Sequence, residues 1–399
     1  MDFTFSPEQM ALQGRARVFA EQYLFPFEQE VQDTNALSAE SSKTIRSAVL
    51  EAGFNAVNHL REDGGQEYSL VNQCLVFEEF GKATNMLGLQ PWMPAYCLRF
   101  GTMEQREQYL RPAIRGEIRE AFLVTEPQSG SDAGGILTNA VKDGDHYVVN
   151  GLKCFASGSE KADYMLLHCN VDGDPKKATL FLLDKGMDGF EIVKTPRALY
   201  NGPSEHPWVQ LTDLRVHESK ILGGIGQGFE LTKDWFVEQR ANIAARCVGV
   251  AVRCAEIAAA YTEEREAFGR KIQDFQGIEW KLADMAVEIM AAKALLYRCA
   301  SEYDNGLDRK AAHARMSAVK LFCTEMAWRI CDQALQIQGG HGYMMDNPVA
   351  RHYTSVRAER IVEGTSEIQK VIIGGQIKKR GMGVYTGLMT QPNMPGGNT

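Results

Sequence analysis

The chain has 399 residues, 44% of them hydrophobic and 24% charged, with a net charge of −8. That length exceeds a single hydrophobic core and predicts two or three packed units, while the acidic balance excludes a general nucleic-acid binder, which needs cations to displace counterions. No apolar run reaches the roughly 18 residues of a membrane span, and nine cysteines without a C-x-x-C pair exclude zinc-type spacing and predict reduced thiols.

The N-terminus lacks a signal-type apolar core, so a cytoplasmic location is expected and secretion is not. Residues 6–119 read as helices: Ser6-Pro7-Glu8-Gln9 supplies an N-cap, a proline at N1 and a glutamine at N3. Gly53, Gly64-Gly65, Gly81 and Gly101 break the helical runs. The texture changes near Ala121. Asn150-Gly151 in HYVVNGLKCFASG is a hairpin signal, and YMLLHCNV, ATLFLLD, FEIVKTP and WVQLTDLRV read as short strands of a small sandwich or barrel.

After GGIGQGF the chain becomes helical again. Ala244, Val248, Ala251 and Cys254/Ala255 share one helical face, as do Ile278, Leu282, Met285 and Ile289, the pattern of a bundle. A further long helix is expected over about 309–338. The Gly/Pro-rich end, 381–399, reads as a flexible tail. The predicted organisation is a helical domain over 1–120, a β domain over 121–225 and a bundle over 226–380.

Four motifs bear on chemistry, and each has a plain structural alternative. FLVTEPQSGSDAGG runs a strand into a Gly/Ser/Asp turn, either a surface turn or a cradle for an oxygen-rich ligand. In EREAFGRKIQDFQ, Arg265 and Phe268 stand three apart on an expected helix, hence neighbours on one face, either a solvated basic residue with a packed aromatic or a ligand contact. QIQGGHGY ends a helix on glycines that also admit a phosphate or flat ring, and His341 there lacks an acid–base partner in sequence. In RIVEGTSEIQK, Ser366 and Gln369 form a capping-box pattern. Glu363 just before it is either a dipole-complementing carboxylate, worth about 0.3–1 kcal/mol, or a base.

Together, in this order, the motifs resemble the FAD-dependent acyl-CoA dehydrogenase family over nearly the whole chain, from about Phe3 to Arg380. The resemblance implies a mainly α fold with a central β domain: an N-terminal helical domain, a middle β-barrel-like domain and a C-terminal four-helix bundle. It also implies a homotetramer with each FAD shared across a subunit interface. The implied reaction oxidises an acyl-CoA thioester to the trans-2,3-enoyl-CoA, Glu363 abstracting the α-proton and FAD taking the β-hydride. An electron-transfer flavoprotein then takes the electrons.

By the same resemblance Phe122, Val124, Thr125, Gly130 and Ser131 line the flavin, and Phe155 and Ser157 stack on it and hydrogen-bond it. Arg265, Phe268 and Gln276 contact the FAD of a neighbouring subunit; Gln336, Gly339 and Gly340 follow its pyrophosphate and adenosine; Thr365 and Glu367 also touch FAD. Ser131, Arg240 and Gly364 fall to the acyl-CoA, with Met86, Leu87, Gln90, Trp92 and Trp235 as floor candidates that hint at a short or unusual acyl group.

Gln239 stands where some members carry their base, which leaves Glu363 as sole candidate. Val362 replaces a common Tyr, and Thr354-Ser355 replaces a common Arg-Asp, so a local ion pair is expected to be missing. Rival readings are a desulfinase or enoyl-CoA reductase of the same fold, an oxidase using O2, and a non-enzymatic FAD- or CoA-binding subunit. No metal is expected.

Overall fold

The structure, a computed structural model, describes residues 4–387 and packs them as two compact units. One comprises the described chain up to Leu37, Tyr68–Gln90 and the described chain from Phe236; the other comprises Ser38–Glu67 and Pro91–Trp235. The longer helices are α1 (Pro7–Tyr23), α2 (Ala39–Ala52), α3 (Leu70–Phe80), α4 (Gly228–Glu264), α5 (Gln276–Asp304), α6 (Arg309–Gln338), α7 (Pro348–Glu359) and α8 (Ser366–Arg380). No described helix is long and apolar enough to cross a membrane. Of the expected tail, Gly383–Thr386 form a helical turn and 388–399 lie outside the described residues.

The second unit is built on one sheet of β1 (Glu120–Leu123), β2 (Asn139–Asp143), β3 (His146–Lys153), β4 (Tyr164–Val171), β5 (Asp174–Asp184), β6 (Phe190–Lys194), β7 (Trp208–His217) and β8 (Ile221–Leu222). Its strand path runs β6-β7-β3-β2-β4-β5-β8, with β1 pairing in parallel on β4 beside β2. All eight residues of β4 are buried, as a near-continuous apolar strand requires when both faces are covered. Alternation along β4 sends Met165, Leu167 and Cys169 into one core with Tyr147, Val149 and Phe181. Tyr164 and Leu166 go to the other, with Leu98, Tyr109 and Leu110.

The Asn150-Gly151 hairpin expectation is corrected. These residues lie inside β3, where the register to β7 shifts between Val149 and Gly151. Asn150 and Asp213 exchange two hydrogen bonds across the bulge, at 3.0 and 2.9 Å. Thr138 sits so close that a Cβ at Gly151 would meet its Oγ1 at 2.2 Å, so this glycine serves close approach and no turn. The β2–β3 reversal occurs instead at Gly144, at φ +65°.

In the first unit, α1 begins with the predicted cap: Ser6 and Gln9 hydrogen-bond reciprocally. The amides of Leu70 and Val71, which open α3, donate at 2.7 and 2.9 Å to the carboxylate of Asp304, the last residue of α5. Glu78 of α3 accepts from Lys293 and Tyr297 of α5, each at 2.6 Å. Helix α4 crosses α3 at Gly249, where an added Cβ would lie 1.9 Å from the Glu78 carbonyl oxygen. All nine cysteines are buried and free of disulfides.

Gly249→Ala is therefore expected to destabilise the protein by about 1–3 kcal/mol, the usual range for overpacking. Urea unfolding reads it as a fall in midpoint at unchanged slope.

Candidate active site

Helix α7 ends at Glu359, and the next helix starts only after two residues in the left-handed region, Glu363 (φ +54°) and Gly364 (φ +93°). Glycine accepts that conformation freely; a glutamate there costs about 1–3 kcal/mol and persists only where the surroundings impose it. Three buried side chains impose it. Arg240 Nε donates to the Glu363 carbonyl at 3.4 Å, and Lys320 Nζ donates to the Gly364 carbonyl at 2.9 Å. Gln369 Nε2 donates to both carbonyls, at 3.1 and 2.8 Å.

The cap of α8 differs from the expectation by one residue. Thr365 is the N-cap, its hydroxyl accepting from the Ile368 amide at 3.3 Å. Ser366 is already helical and donates to Glu325 Oε1 at 2.6 Å. The reason lies in the turn: it leaves Thr365 extended, and it draws Gln369 onto the two carbonyls.

Burial lifts the Glu363 carboxyl from its ordinary 4.5 to about 7. That value is the balance after Arg240 and Lys320 lower it and Glu359 raises it. Arg240, expected beside the acyl-CoA, is itself buried; besides the Glu363 carbonyl it contacts both ring nitrogens of His313 at 3.3 Å and Ser317 Oγ at 3.2 Å. Burial lowers its pKa to about 10 and lowers that of Lys320 as well. Thr354 and Ser355 bond back to carbonyls of their own helix. An ion pair nonetheless stands one turn further along α7, between Glu359 and Arg246 at 3.4 Å.

In the sheet unit, Phe122 lies near the end of β1, its ring 5.1 Å from that of Trp235. Val124, Thr125, Gly130 and Ser131 follow in the turn, and Phe155 and Ser157 follow β3. The structure ties these two stretches together. Lys153 Nζ donates to the Val124 carbonyl and to Glu126 Oε1, both at 2.8 Å, and the Cys154 amide donates to the Thr125 carbonyl at 2.9 Å. Glu126 also accepts from the amides of Leu137 and Thr138, and with Lys153 against it its pKa falls to about 2 despite burial. Ser157 Oγ lies 2.7 Å from His206 Nδ1, whose Nε2 is 2.9 Å from the Tyr200 hydroxyl.

Arg265 and Phe268 are not on a helix, contrary to the sequence reading. Helix α4 stops at Glu264, and Phe268-Gly269 turns a short hairpin between β9 (Glu266–Ala267) and β10 (Arg270–Lys271). Both turn residues have positive φ, +54° and +82°, which suits a two-residue hairpin and not a helix. Phe268 is 97% exposed there, and Gln276 opens α5 on the surface. Gln336 and Gly340 flank the C-cap Gly339 of α6, all three exposed. His341 is exposed, its ring 6.0 Å from Tyr261. Glu367 lies exposed in the first turn of α8.

The floor candidates divide between the units. Met86 lines a small cavity and Leu87 is fully buried, with Gln90 partly buried after them. Trp92 belongs to the sheet unit and donates to the Ala113 carbonyl at 2.9 Å. Sequence reading missed Lys320, Gln369 and Lys153 as positioning groups; the signal for Lys320 was a lysine on the face of α6 shared by Met316, Cys323 and Thr324.

These residues suit FAD. At Gly130, Gly339 and Gly340 an added Cβ would meet nothing within 4 Å, so their backbone is open to a ligand. Phe155 is held at φ +56° and is 55% exposed, a flat apolar ring with a free face.

Family models match over three stretches: acyl-CoA dehydrogenase N-terminal domain at residues 6–117, middle domain at 121–214 and C-terminal domain at 226–378. An acryloyl-CoA reductase (NADH) of Anaerotignum propionicum is 34% identical over 390 residues, 95% of this chain and 97% of that one. A short-chain specific acyl-CoA dehydrogenase of Clostridium acetobutylicum is 32% identical, covering 94% of this chain and all of the relative. An acyl-CoA dehydrogenase complexed with FAD from Bacillus anthracis superposes with a TM-score of 0.87 at 27% identity, over 95% of this chain and 68% of that one.

Lys153→Met leaves the buried Glu126 carboxylate uncompensated and is expected to cost about 3–5 kcal/mol, read by chemical denaturation. Glu363 gives a pH signature of opposite sign to a paired carboxylate. Its folded pKa lies above the unfolded value, so the folded state holds the extra proton and stability falls as pH rises from 4.5 to about 7. Glu363→Gln is expected to flatten that part of the stability–pH curve and to be more stable than wild type at pH 8, checked by thermal unfolding across pH.

Proposed function

The chain belongs to the acyl-CoA dehydrogenase family, FAD-dependent oxidoreductases that act on acyl-CoA, and we propose that it desaturates an acyl-CoA thioester with Glu363 as the base. The observation that carries this reading is the carboxyl of the half-buried Glu363, lifted to about 7 by desolvation and carried on a strained turn fixed by Arg240, Lys320 and Gln369. A base with a pKa near the working pH combines a useful ionised fraction with a strong pull on a weakly acidic α-proton. Pinning both carbonyls fixes the main chain that carries the carboxyl, so little reorganisation accompanies proton transfer. Arg240 and Lys320 keep part of the carboxyl population ionised despite burial.

FAD, when bound, supplies the acceptor for the β-hydride. Phe122, Thr125, Ser131, Phe155 and Ser157 would hold the flavin portion, the turn among them set by Lys153 and Glu126. The exposed Arg265, Phe268, Gln336, Gly339 and Gly340 would serve the FAD of a neighbouring copy in a homotetramer. An electron-transfer flavoprotein is the proposed acceptor of the electrons.

A second reading has a specific support, since a relative at 34% identity is a reductase. Glu363 can run the reaction backwards, giving its proton to the α-carbon of an enoyl-CoA. The two directions need opposite protonation states. Desaturation is expected to give a kcat/KM that rises with pH through a single limb near 7; a reductase gives one that falls. In steady-state assays with an artificial electron acceptor, Glu363→Gln is expected to lose about 100-fold or more while remaining folded. Wild-type turnover in that variant contradicts the assignment.

A further inference from the structure

A cavity of about 20 Å3 lies within the first unit, where Gly81, Ala83, Met86 and Gly88 meet Arg246 and Val250 of α4 and Ser355 and Glu359 of α7. That is room for one water-sized group. The wall is mostly apolar, with Arg246, His352, Ser355 and Glu359 as its polar residues. Arg246 and Glu359 touch at 3.4 Å through Nη2 and Oε1, yet Arg246 Nε and Glu359 Oε2 are both buried without a hydrogen-bond partner. The Glu359 side chain is only 6% exposed, so leaving its second oxygen without a partner is costly. Met86 on the wall stands at φ +57°, next to Asn85 at +56°, the kind of outlier that persists at ligand sites. Glu359 sits four residues before Glu363 on the same run of chain, and both it and Arg246 act electrostatically on the base.

We propose that this cavity receives a hydroxyl group carried on the acyl chain of the CoA thioester; the inference rests on the desaturase reading. The chemistry selects the group. Among the polar groups of the wall, Arg246 Nε is a donor and Glu359 Oε2 an acceptor without a partner, whereas the Ser355 hydroxyl and His352 Nε2 already meet main-chain carbonyls; a hydroxyl accepts from the first and donates to the second. A terminal methyl leaves both unpaired. A carboxylate meets the charge of Glu359, and an ammonium meets that of Arg246. A site built to bond a hydroxyl discriminates against the analogue lacking it more strongly than an apolar pocket discriminates by size.

The test uses the FAD-loaded enzyme and matched CoA thioesters of increasing acyl length, each ending in methyl, hydroxyl or carboxylate. Affinity is read from the perturbation of the flavin spectrum, and activity from anaerobic flavin bleaching. For at least one length the hydroxyl member is expected to bind and react at least about tenfold better than both counterparts. Methyl-terminated thioesters that match or exceed it at every length overturn the proposal and assign the pair a trapped water. Failure of every thioester to bleach the flavin overturns the desaturase reading instead, while the affinity comparison still judges the cavity. Glu359→Leu is expected to bring the ratio to within about twofold. Ala83→Val, which narrows the cavity without touching either polar group, is expected to do the same if the first variant does not fold; an undiminished ratio in either counts against the site.

Discussion

The two left-handed residues between α7 and α8 are the constraint on which the rest depends. A glutamate does not hold φ +54° unaided, and the protein spends three buried polar side chains, Arg240, Lys320 and Gln369, on keeping it there. Each comes from a different helix, α4, α6 and α8, so the turn depends on the bundle's packing as well as on the local Gly364 and Gln369. The same cations that pin the carbonyls moderate the carboxyl, which burial alone would raise further. Geometry and acidity are thus set by one group of residues.

The sheet unit solves a similar problem with a single ion pair. Lys153 and Glu126 are 0% and 1% exposed, and between them they bind the Val124 carbonyl and the Leu137 and Thr138 amides. A buried pair of this kind adds little net stability over an apolar substitute. Its value is positional: it joins the turn after β1 to the end of β3, the two stretches that carry the residues proposed to hold the flavin.

Much of the fold was legible because local signals and burial agree. The Ser6 cap, the fully buried β4 and the helix end at Gly339 follow from residue type and period alone. The failures have two causes, local turn chemistry in one case and tertiary contacts in the others. Phe268 looked helical because Arg-x-x-Phe fits a helix face, but Gly269 makes a two-residue turn available and the chain takes it. Asn150-Gly151 looked like a turn, yet Thr138 requires a glycine there and Asp213 pairs with the asparagine. Ser366 fits a capping box, but Glu325 takes its hydroxyl and Thr365 caps instead. Glu363 was singled out from its motif, whereas the groups that hold its turn are scattered from position 240 to 369 and meet only in the folded bundle.

Hydrogen exchange at the α-carbon tests the central claim most directly, because it isolates proton abstraction from every later step. Incubated in D2O with an acyl-CoA, the FAD-loaded wild type is predicted to exchange the α-hydrogen, read by mass spectrometry of the recovered thioester, and Glu363→Gln is predicted not to. Equal exchange in the two proteins contradicts the account.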